Sequence, residues 1–348
     1  MGTAITLAAN QSRRGSDYAA LMREVRTAGL LDRRRAYYWT RLGVVLAAFA
    51  AGWVGFAFLG DSWWQLLVGA FLAVVFTQLG FLGHDAGHRQ IFRTRRANEL
   101  IGLACGNLAI GLSYSWWVDK HNRHHAHPNQ LELDPDIDIG ALAFTSAQAR
   151  AKRGTVLRFI ARHQRYLFFP LLLLESMQLH VSSVRALIRG GMRNRWGEAA
   201  LLTTNIVGYF AAVFLVLSPL KAVVFLVVQQ GLFGLYLGCA FAPNHKGMPI
   251  LSADDQTDFL RRQVLTSRNV RGGWFVDTAL GGLNYQIEHH LFPSMPRPNL
   301  GRAQVLVRAF CQQHEIPYCE TTLLLSYRQA LSHLHEVGQP LRVTITTA

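Results

Sequence analysis

The stretch LGVVLAAFAAGWVGFAFLG, residues 42–60, carries no charged side chain, and neither does WWQLLVGAFLAVVFTQLGFLG, residues 63–83. Each is close to the roughly twenty residues that a helix needs to cross the hydrocarbon core of a bilayer. Asp61 and Ser62 form a polar turn between them, and residues 218–221 separate a second pair of apolar runs, 201–217 and 222–242. The pattern predicts an all-α integral membrane protein with four transmembrane helices arranged as two hairpins.

Charge is distributed unevenly along the 348 residues, whose formal net charge is +14. None of the 35 Lys and Arg residues lies within 42–88, and Lys221 alone lies within 200–242. Two hairpins would place all the other cationic residues on one side, which the positive-inside rule makes cytoplasmic. We interpret this basic face as a contact for membrane lipid headgroups. Four apolar runs, without a recognisable nucleic-acid-binding module, argue against nucleic acid as the partner.

This topology predicts a single domain, 1–348, with five parts. They are a basic cytoplasmic arm (1–41), a first hairpin (42–83), a cytoplasmic region (84–199), a second hairpin (200–242) and a cytoplasmic helical cap (243–348) that ends in a Val-Thr tail (341–348). We expect residues 18–31 to form a helix on the membrane surface. We expect an interfacial segment at 101–118 and a surface-lying or buried helix, rather than a fifth span, at 166–181. No signal peptide is expected, and the four cysteines are expected to be unlinked thiols.

Half of the 14 histidines fall into three groups with helical spacing. The groups are His84 and His88 in HDAGH, His121, His124 and His125 in HNRHHAH, and His289 and His290, preceded by Gln286, in QIEHH. On a helix, residues at i, i+3 and i+4 share one face. Neutral imidazoles suit iron, zinc or copper, and this many exceed the four ligands of a structural zinc site, which points to two metals. His245 follows the fourth apolar run as His84 follows the second, and is a candidate eighth ligand.

A site with two irons can activate O2 to attack an unactivated C–H bond, if electrons are supplied and water is excluded. HDAGH, HNRHH and QIEHH, in this order around two apolar pairs, resemble the histidine boxes of the membrane fatty acid desaturase family. The resemblance covers about residues 17–324, and HNRHHAHPN and GGLNYQIEHHLFP carry most of its specificity. The glutamine that opens the third box resembles the branch that contains acyl-CoA and front-end desaturases.

The resemblance implies a di-iron centre, with O2 as co-substrate, and a ligand set. These ligands are His84, His88, His121, His124, His125, His289 and His290, together with His245. Some relatives place an asparagine one helical turn before the histidine that corresponds to His245. Phe241 occupies that position here, and Asn244 is adjacent instead.

Five further residues are expected to support the ligands from behind: Gln286, Asn244, Asp85, Glu288 and Asn122. No catalytic residue is predicted beyond the metal centre. His127 is left unassigned. The DPDID run, residues 134–138, is interpreted as a solvated turn, with a calcium site as the alternative.

The implied reaction is the O2-dependent introduction of a cis double bond into a fatty acyl chain. No HPGG motif of a fused cytochrome b5 domain occurs, so we expect a separate electron donor, a ferredoxin or a cytochrome b5-type protein with its reductase. One alternative is a fatty acid or alkane hydroxylase of the same superfamily. A metal transporter is an alternative of another class, but it predicts ionisable ligands inside the spans rather than at their ends.

Overall fold

The computed structural model describes residues 16–138 and 140–342, so that most of the predicted tail, 341–348, lies outside the described residues. The N-terminal and central helices are α1 (Ser16–Thr27), α2 (Arg35–Leu59), α3 (Gln65–Gly87), α4 (Arg95–Leu103), α5 (Tyr114–Ala126), α6 (Ser146–Ala151), α7 (Thr155–Leu172) and α8 (Glu175–Arg189). The remaining helices are α9 (Arg195–Val216), α10 (Pro219–His245), α11 (Phe259–Leu265), α12 (Trp274–Ala279), α13 (Gln286–Leu291), α14 (Leu300–Gln313) and α15 (Leu323–Val337). Two short strands, β1 (Asn269–Val270) and β2 (Glu320–Thr321), pair in parallel.

Four of these helices, α2, α3, α9 and α10, are long and apolar enough to cross a membrane. Apart from one or two terminal residues, each of the four apolar runs lies within one of these helices, which confirms the prediction of four candidate spans in a helical protein. The helices extend further than the runs, however. We expected HDAGH to emerge after the second span, but α3 continues to Gly87, and His84 therefore lies within its last turns. The residues LGHDAG contain no proline, and the helix ends before Arg89, whose φ is 55°.

Helix α3 is the central element, because it packs against both α2 and α10. The approach of α2 is close: a Cβ at Gly52 would lie 2.5 Å from Leu72 Cδ2. At one end of the bundle the two interhelix connections meet, where the Ser218 backbone N–H donates to Asp61 Oδ1 at 2.9 Å. Lys221 Nζ also lies 3.1 Å from Asp61 Oδ2. Because these connections lie together, the histidine-bearing ends of α3 and α10 meet at the opposite end.

Two apolar segments between the long helices differ from their predicted form. The segment 101–118 is divided into the end of α4, a π-helical turn (Ala104–Ala109) and the start of α5. The segment 166–181 is not one helix, because α7 and α8 are bent by 80° at residues 173–174. At this bend the N–H of Leu173 donates to Pro170 O, an i to i−3 bond that tightens and ends α7. If the bent pair were a single broken span, the count of candidate spans would be five.

The part of the chain after α10, which we call the C-terminal region (residues 246–342), has its own apolar core. Helix α1 contributes to this core, since Leu21 and Val25 are fully buried against residues of α11, α13 and α14. We had expected the apolar face of this helix to lie on the membrane surface. The face is instead covered by protein, and it ties the N-terminal part of the chain to the helix that carries His289 and His290.

Candidate metal centre

The eight histidines expected as ligands converge at one end of the bundle. His84 and His88 end α3, His245 is the last residue of α10, and the others lie on α5 and α13. All are buried except His121, which is half-buried. The ring of His125 is stacked on that of His290 with centroids 4.1 Å apart, although the two residues come from different helices.

One ring nitrogen from each of four histidines falls within 4.8 Å of the others: His84, His88, His121 and His289. The Nε2 atoms of His84, His88 and His289 are buried, and none has a hydrogen-bond partner among the described residues. Buried polar atoms are rarely left without a partner, because desolvation costs free energy that a hydrogen bond normally offsets. Nitrogen lone pairs that face one another in this way are suited to a cation, and we call these four residues the first imidazole group.

A second imidazole group consists of His124, His245 and His290. The Nε2 of His245 lies 3.4 Å from that of His124 and 3.1 Å from that of His290. Each Nδ1 has an oxygen acceptor: Asp134 Oδ1 for His124 at 2.9 Å, Thr266 O for His245 at 3.0 Å, and Gln263 Oε1 for His290 at 2.9 Å. An oxygen at Nδ1 fixes the proton there, so three Nε2 lone pairs point at one another. Lone pairs that converge in this way repel one another, and a cation between them would relieve the repulsion; the lone pair of His245 also has a donor, Gln286 Nε2 at 2.8 Å.

His125 belongs to neither group but touches both. Its Nε2 is 3.1 Å from that of His121, in the first group. Its ring packs on His290, in the second. The donor set is therefore entirely imidazole nitrogen, arranged around two positions, and it fits two transition-metal ions better than one.

Comparison with known proteins agrees with this site. Residues 61–322 match the family model described as fatty acid desaturase. The chain belongs to the fatty acid desaturase family. Over 330 residues it is 31% identical to the acyl-lipid (9-3)-desaturase of Physcomitrium patens, covering 89% of this chain and 60% of that protein.

Two further relatives are also named as fatty acid desaturases. The chain is 30% identical over 353 residues to the Delta(6)-fatty-acid desaturase fat-3 of Caenorhabditis elegans, covering 95% of this chain and 77% of that one. It is 29% identical over 315 residues to the Delta(8)-fatty-acid desaturase of Euglena gracilis, covering 87% and 74%. The predicted resemblance is thereby confirmed. The three histidine motifs of this family member, together with His245, form the two imidazole groups.

The imidazoles of the site are held in a state suited to metal binding. Burial, followed by the neighbouring imidazoles, holds the pKa of four of them well below the usual range: His121, His125, His289 and His290. The lowered pKa favours the neutral form of these four imidazoles, which is the form that binds metal. His124 differs: burial opposes protonation, but Asp134 and Asp136 outweigh it and raise its pKa. The carboxylates therefore increase the electron density of this imidazole.

Asp134 corrects the interpretation of the DPDID run as a solvated turn. The residue is buried, and its Oδ2 accepts the Asn129 backbone N–H at 2.7 Å while its Oδ1 lies against His124. Asp136 approaches His124 as well, but it pairs with Lys120, and Lys246 Nζ donates to its carbonyl oxygen at 2.9 Å. Because Asp136 is already paired with Lys120 and both carboxylate oxygens of Asp134 are engaged by His124 and backbone N–H groups, the run supports the histidine group and is a poor calcium site.

The five residues expected behind the ligands have different positions. Asp85 Oδ1 lies 3.3 Å from Nδ1 of His84. The Gln286 side-chain amide lies 2.8 Å from His245 Nε2 and accepts a hydrogen bond from Asn244. Glu288 is buried without a contact to these imidazoles; it accepts from Asn269 Nδ2 and Tyr318 OH, both at 2.7 Å.

Asn122 is exposed, and no hydrogen bond joins it to a histidine in the described part of the chain. Adjacent residues on a helix point about 100° apart, so adjacency to a ligand does not by itself bring a side chain into contact with that ligand. Asp134, Thr266 and Gln263 accept hydrogen bonds from the Nδ1 atoms of the second imidazole group. None of the three was predicted from the sequence to orient a ligand. Each lies at least ten positions from its histidine in sequence, and Asp134 lies in an irregular loop. No rule of helical spacing identifies such residues.

Proposed function

We propose that the protein is an O2-dependent fatty acyl desaturase that introduces a cis double bond into an acyl chain. The observation that carries the proposal is the pair of imidazole groups, whose lone pairs converge on two adjacent positions at the ends of α3 and α10. Membership of the fatty acid desaturase family supports the reaction type. The overall change removes two hydrogens from neighbouring methylene groups, and O2 is reduced to two waters with two electrons and two protons from outside.

The proposed ligands divide between two irons. His84, His88, His121 and His289 would hold one ion, and His124, His245 and His290 the other, with His125 between them. Irons bound here would supply the reductive activation of O2 that an unactivated C–H bond requires.

The chain's own residues position the site and keep it dry. Asp134, Thr266 and Gln263 fix the second group's imidazoles in one tautomer. The indole of Trp117 stacks on the ring of His121 with centroids 4.5 Å apart. Phe241 lies 6.4 Å from His84, ring to ring, and Phe81 packs behind it. These apolar rings lie against the imidazoles, which favours exclusion of water from the reaction.

The proposal includes the topology and the partners. Two hairpins, 42–83 and 200–242, would cross the membrane, with the arm (1–41), the middle region (84–199) and the cap (243–348) on the cytoplasmic side. The electron donor would be a separate ferredoxin or a cytochrome b5-type protein with its reductase. The acyl chain would be presented as acyl-CoA or as an acyl-lipid. The acyl-lipid form is the one in the name of the relative from Physcomitrium patens.

Expression of the full chain with a redox partner, followed by mass spectrometry of fatty acid methyl esters, tests the proposal. A product two hydrogens lighter than its precursor is the expected result. A product heavier by one oxygen would identify a hydroxylase and overturn the proposal. Unchanged acyl chains, from protein that holds two irons, would overturn it as well. In the same assay His124→Ala should abolish the product and lower bound iron. His163→Ala, on α7 and outside the cluster, should leave both unchanged.

A further inference from the structure

Four large apolar side chains of the C-terminal region stand out by their exposure: Trp274 (82%), Phe275 (74%), Leu324 (82%) and Leu325 (43%). We call these four residues the apolar rim. Elsewhere in that region, within the described residues, Phe259 and Val305 are the other large apolar side chains that are exposed. Most of the exposed apolar surface of the C-terminal region is therefore concentrated in two short segments. Such a concentration marks an interaction surface rather than ordinary surface scatter.

The two segments lie side by side because they leave the same pair of strands. Val270 of β1 is paired with Thr321 of β2, and the Arg271 backbone N–H donates to Thr321 O at 2.7 Å. Trp274 is four residues after Val270, and Leu325 is four residues after Thr321. Val276 and Leu323 then pack together on Phe81 and Ala240, in the apolar cluster between the rim and the long helices.

Both segments are fixed to the sides of the candidate spans. On α12, the carbonyl oxygen of Thr278 accepts from Gln78 Nε2 at 3.3 Å, and that of Ala279 accepts from Tyr236 OH at 2.7 Å. On α15, Tyr327 OH donates to Cys239 O at 2.6 Å. These contacts set the level of the rim along the spans.

That level lies within the apolar part of the bundle. Gln78 precedes His84 by six residues, and Cys239 precedes His245 by six, which is about 9 Å along a helix. From Trp64 to His84 α3 rises about 30 Å, the thickness of a bilayer's hydrocarbon core. His84 therefore lies near one boundary of that core, and the rim is attached about 9 Å inside it.

The surface around the rim continues this character. Phe71 and Val74, on the turns of α3 before Gln78, are exposed apolar residues of a candidate span. Arg271 and Arg328 are exposed and flank the rim in sequence, three residues before Trp274 and three after Leu325. Apolar and aromatic side chains followed by arginines are the pattern of a membrane interface, with cations toward the headgroups.

We propose that the apolar rim is a lipid-contacting edge of the C-terminal region, immersed at the boundary between headgroups and acyl chains. The occupant of this surface is the bilayer and not another protein chain. The C-terminal region is then not a purely aqueous cap, since α12 and the first turn of α15 would extend along α3 and α10 into the membrane. This inference concerns the lipid boundary and does not depend on the reaction catalysed.

Single cysteines labelled with an environment-sensitive NBD fluorophore test the proposal in the full-length protein. The variants Phe275→Cys and Leu324→Cys would be reconstituted into vesicles of phosphatidylcholine and phosphatidylglycerol. Val74→Cys, on a candidate span, is the lipid control, and Val305→Cys, on α14, is the aqueous control. Labelled wild type gives the background from the native cysteines. Bound iron in each variant reports whether the fold is intact.

The expected result is that doxyl-labelled lipid quenches the probes at 275 and 324 as strongly as the probe at 74, and several-fold more than the probe at 305. Iodide should quench the probe at 305 several-fold more than those at 275 and 324. If iodide quenched the probes at 275 and 324 as strongly as the probe at 305, the proposal would be overturned. Protection from both quenchers, which a second copy of the chain covering the rim would give, would overturn it as well.

Discussion

Asp85 Oδ2 lies 2.7 Å from Arg297 Nη2, and both side chains are buried. The same Arg297 donates to Phe81 O at 3.1 Å, while the other oxygen of Asp85 lies against His84. The ion pair therefore joins the end of α3, where His84 and His88 lie, to the segment that follows α13. Helix α13 itself carries His289 and His290. The ion pair couples the first and third histidine motifs.

Arg297→Met should strongly destabilise the protein, because it leaves the Asp85 carboxylate buried without a counter-ion. Loss of one partner of a buried pair costs about 3–5 kcal/mol of the free energy of unfolding. Thermal unfolding in detergent, together with iron content, measures the effect. The double variant Asp85→Asn/Arg297→Met should recover part of the loss. Arg95→Gln, which breaks the exposed pair with Glu99, should cost less than about 1 kcal/mol; an equal loss in both single variants would contradict the argument.

Asp134→Asn should weaken metal binding without unfolding the chain. The substitution keeps an oxygen near Nδ1 of His124 but removes the charge that favours proton donation from that imidazole. Loss of such a support lowers metal affinity by roughly 10–100-fold. Iron affinity can be measured by equilibrium dialysis. Asp138→Asn, an exposed carboxylate of the same run, is the matched control and should bind iron as the wild type does. Equal affinities in the two variants would remove Asp134 from its proposed role.

Much of this architecture was predictable from the sequence. Apolar runs of about twenty residues predict spans because a bilayer requires that length, and each of the four matches a candidate spanning helix to within one or two residues at the run's polar-turn end or lies inside it. The three histidine motifs have helical spacing, so each was expected to present one face. Gln263, by contrast, contacts His290 from a different helix, 27 positions away in sequence. Arg297 likewise contacts Asp85 from a distant part of the chain. Such contacts arise from tertiary packing, which leaves no periodic signal in the sequence.

Adjacency in sequence was a poor guide to support of the ligands. Glu288 and Asn122 stand beside histidines in their motifs, yet within the described residues no side-chain hydrogen bond joins either of them to one of the eight. A helix turns by about 100° per residue, so adjacency to a ligand does not by itself direct a side chain toward it. Asp85 contacts His84, but it is also held by Arg297, and its position depends on that partner.

His245→Ala should reduce bound iron from about two ions to about one. His245 lies between His124 and His290, so its loss leaves two imidazoles in the second group, fewer than the three protein ligands of a typical catalytic site. The first group does not include His245 and should retain its ion. Metal analysis by mass spectrometry measures the ratio of iron to protein. Asn122→Ala is the control and should keep the wild-type ratio. Complete loss of iron from His245→Ala would mean that the two positions are not independent.

Removal of metal by a chelator should lower the free energy of unfolding, because converging imidazoles bind an ion only in the folded chain. At a free metal concentration 100-fold above Kd, binding to the folded state alone contributes about 2.7 kcal/mol. Thermal unfolding of the chelated protein, with iron then restored, measures the change and its reversal. The double variant His84→Ala/His124→Ala removes one ligand from each group, so its Tm should respond much less to chelator. A wild-type Tm that chelation leaves unchanged would contradict metal binding at this cluster.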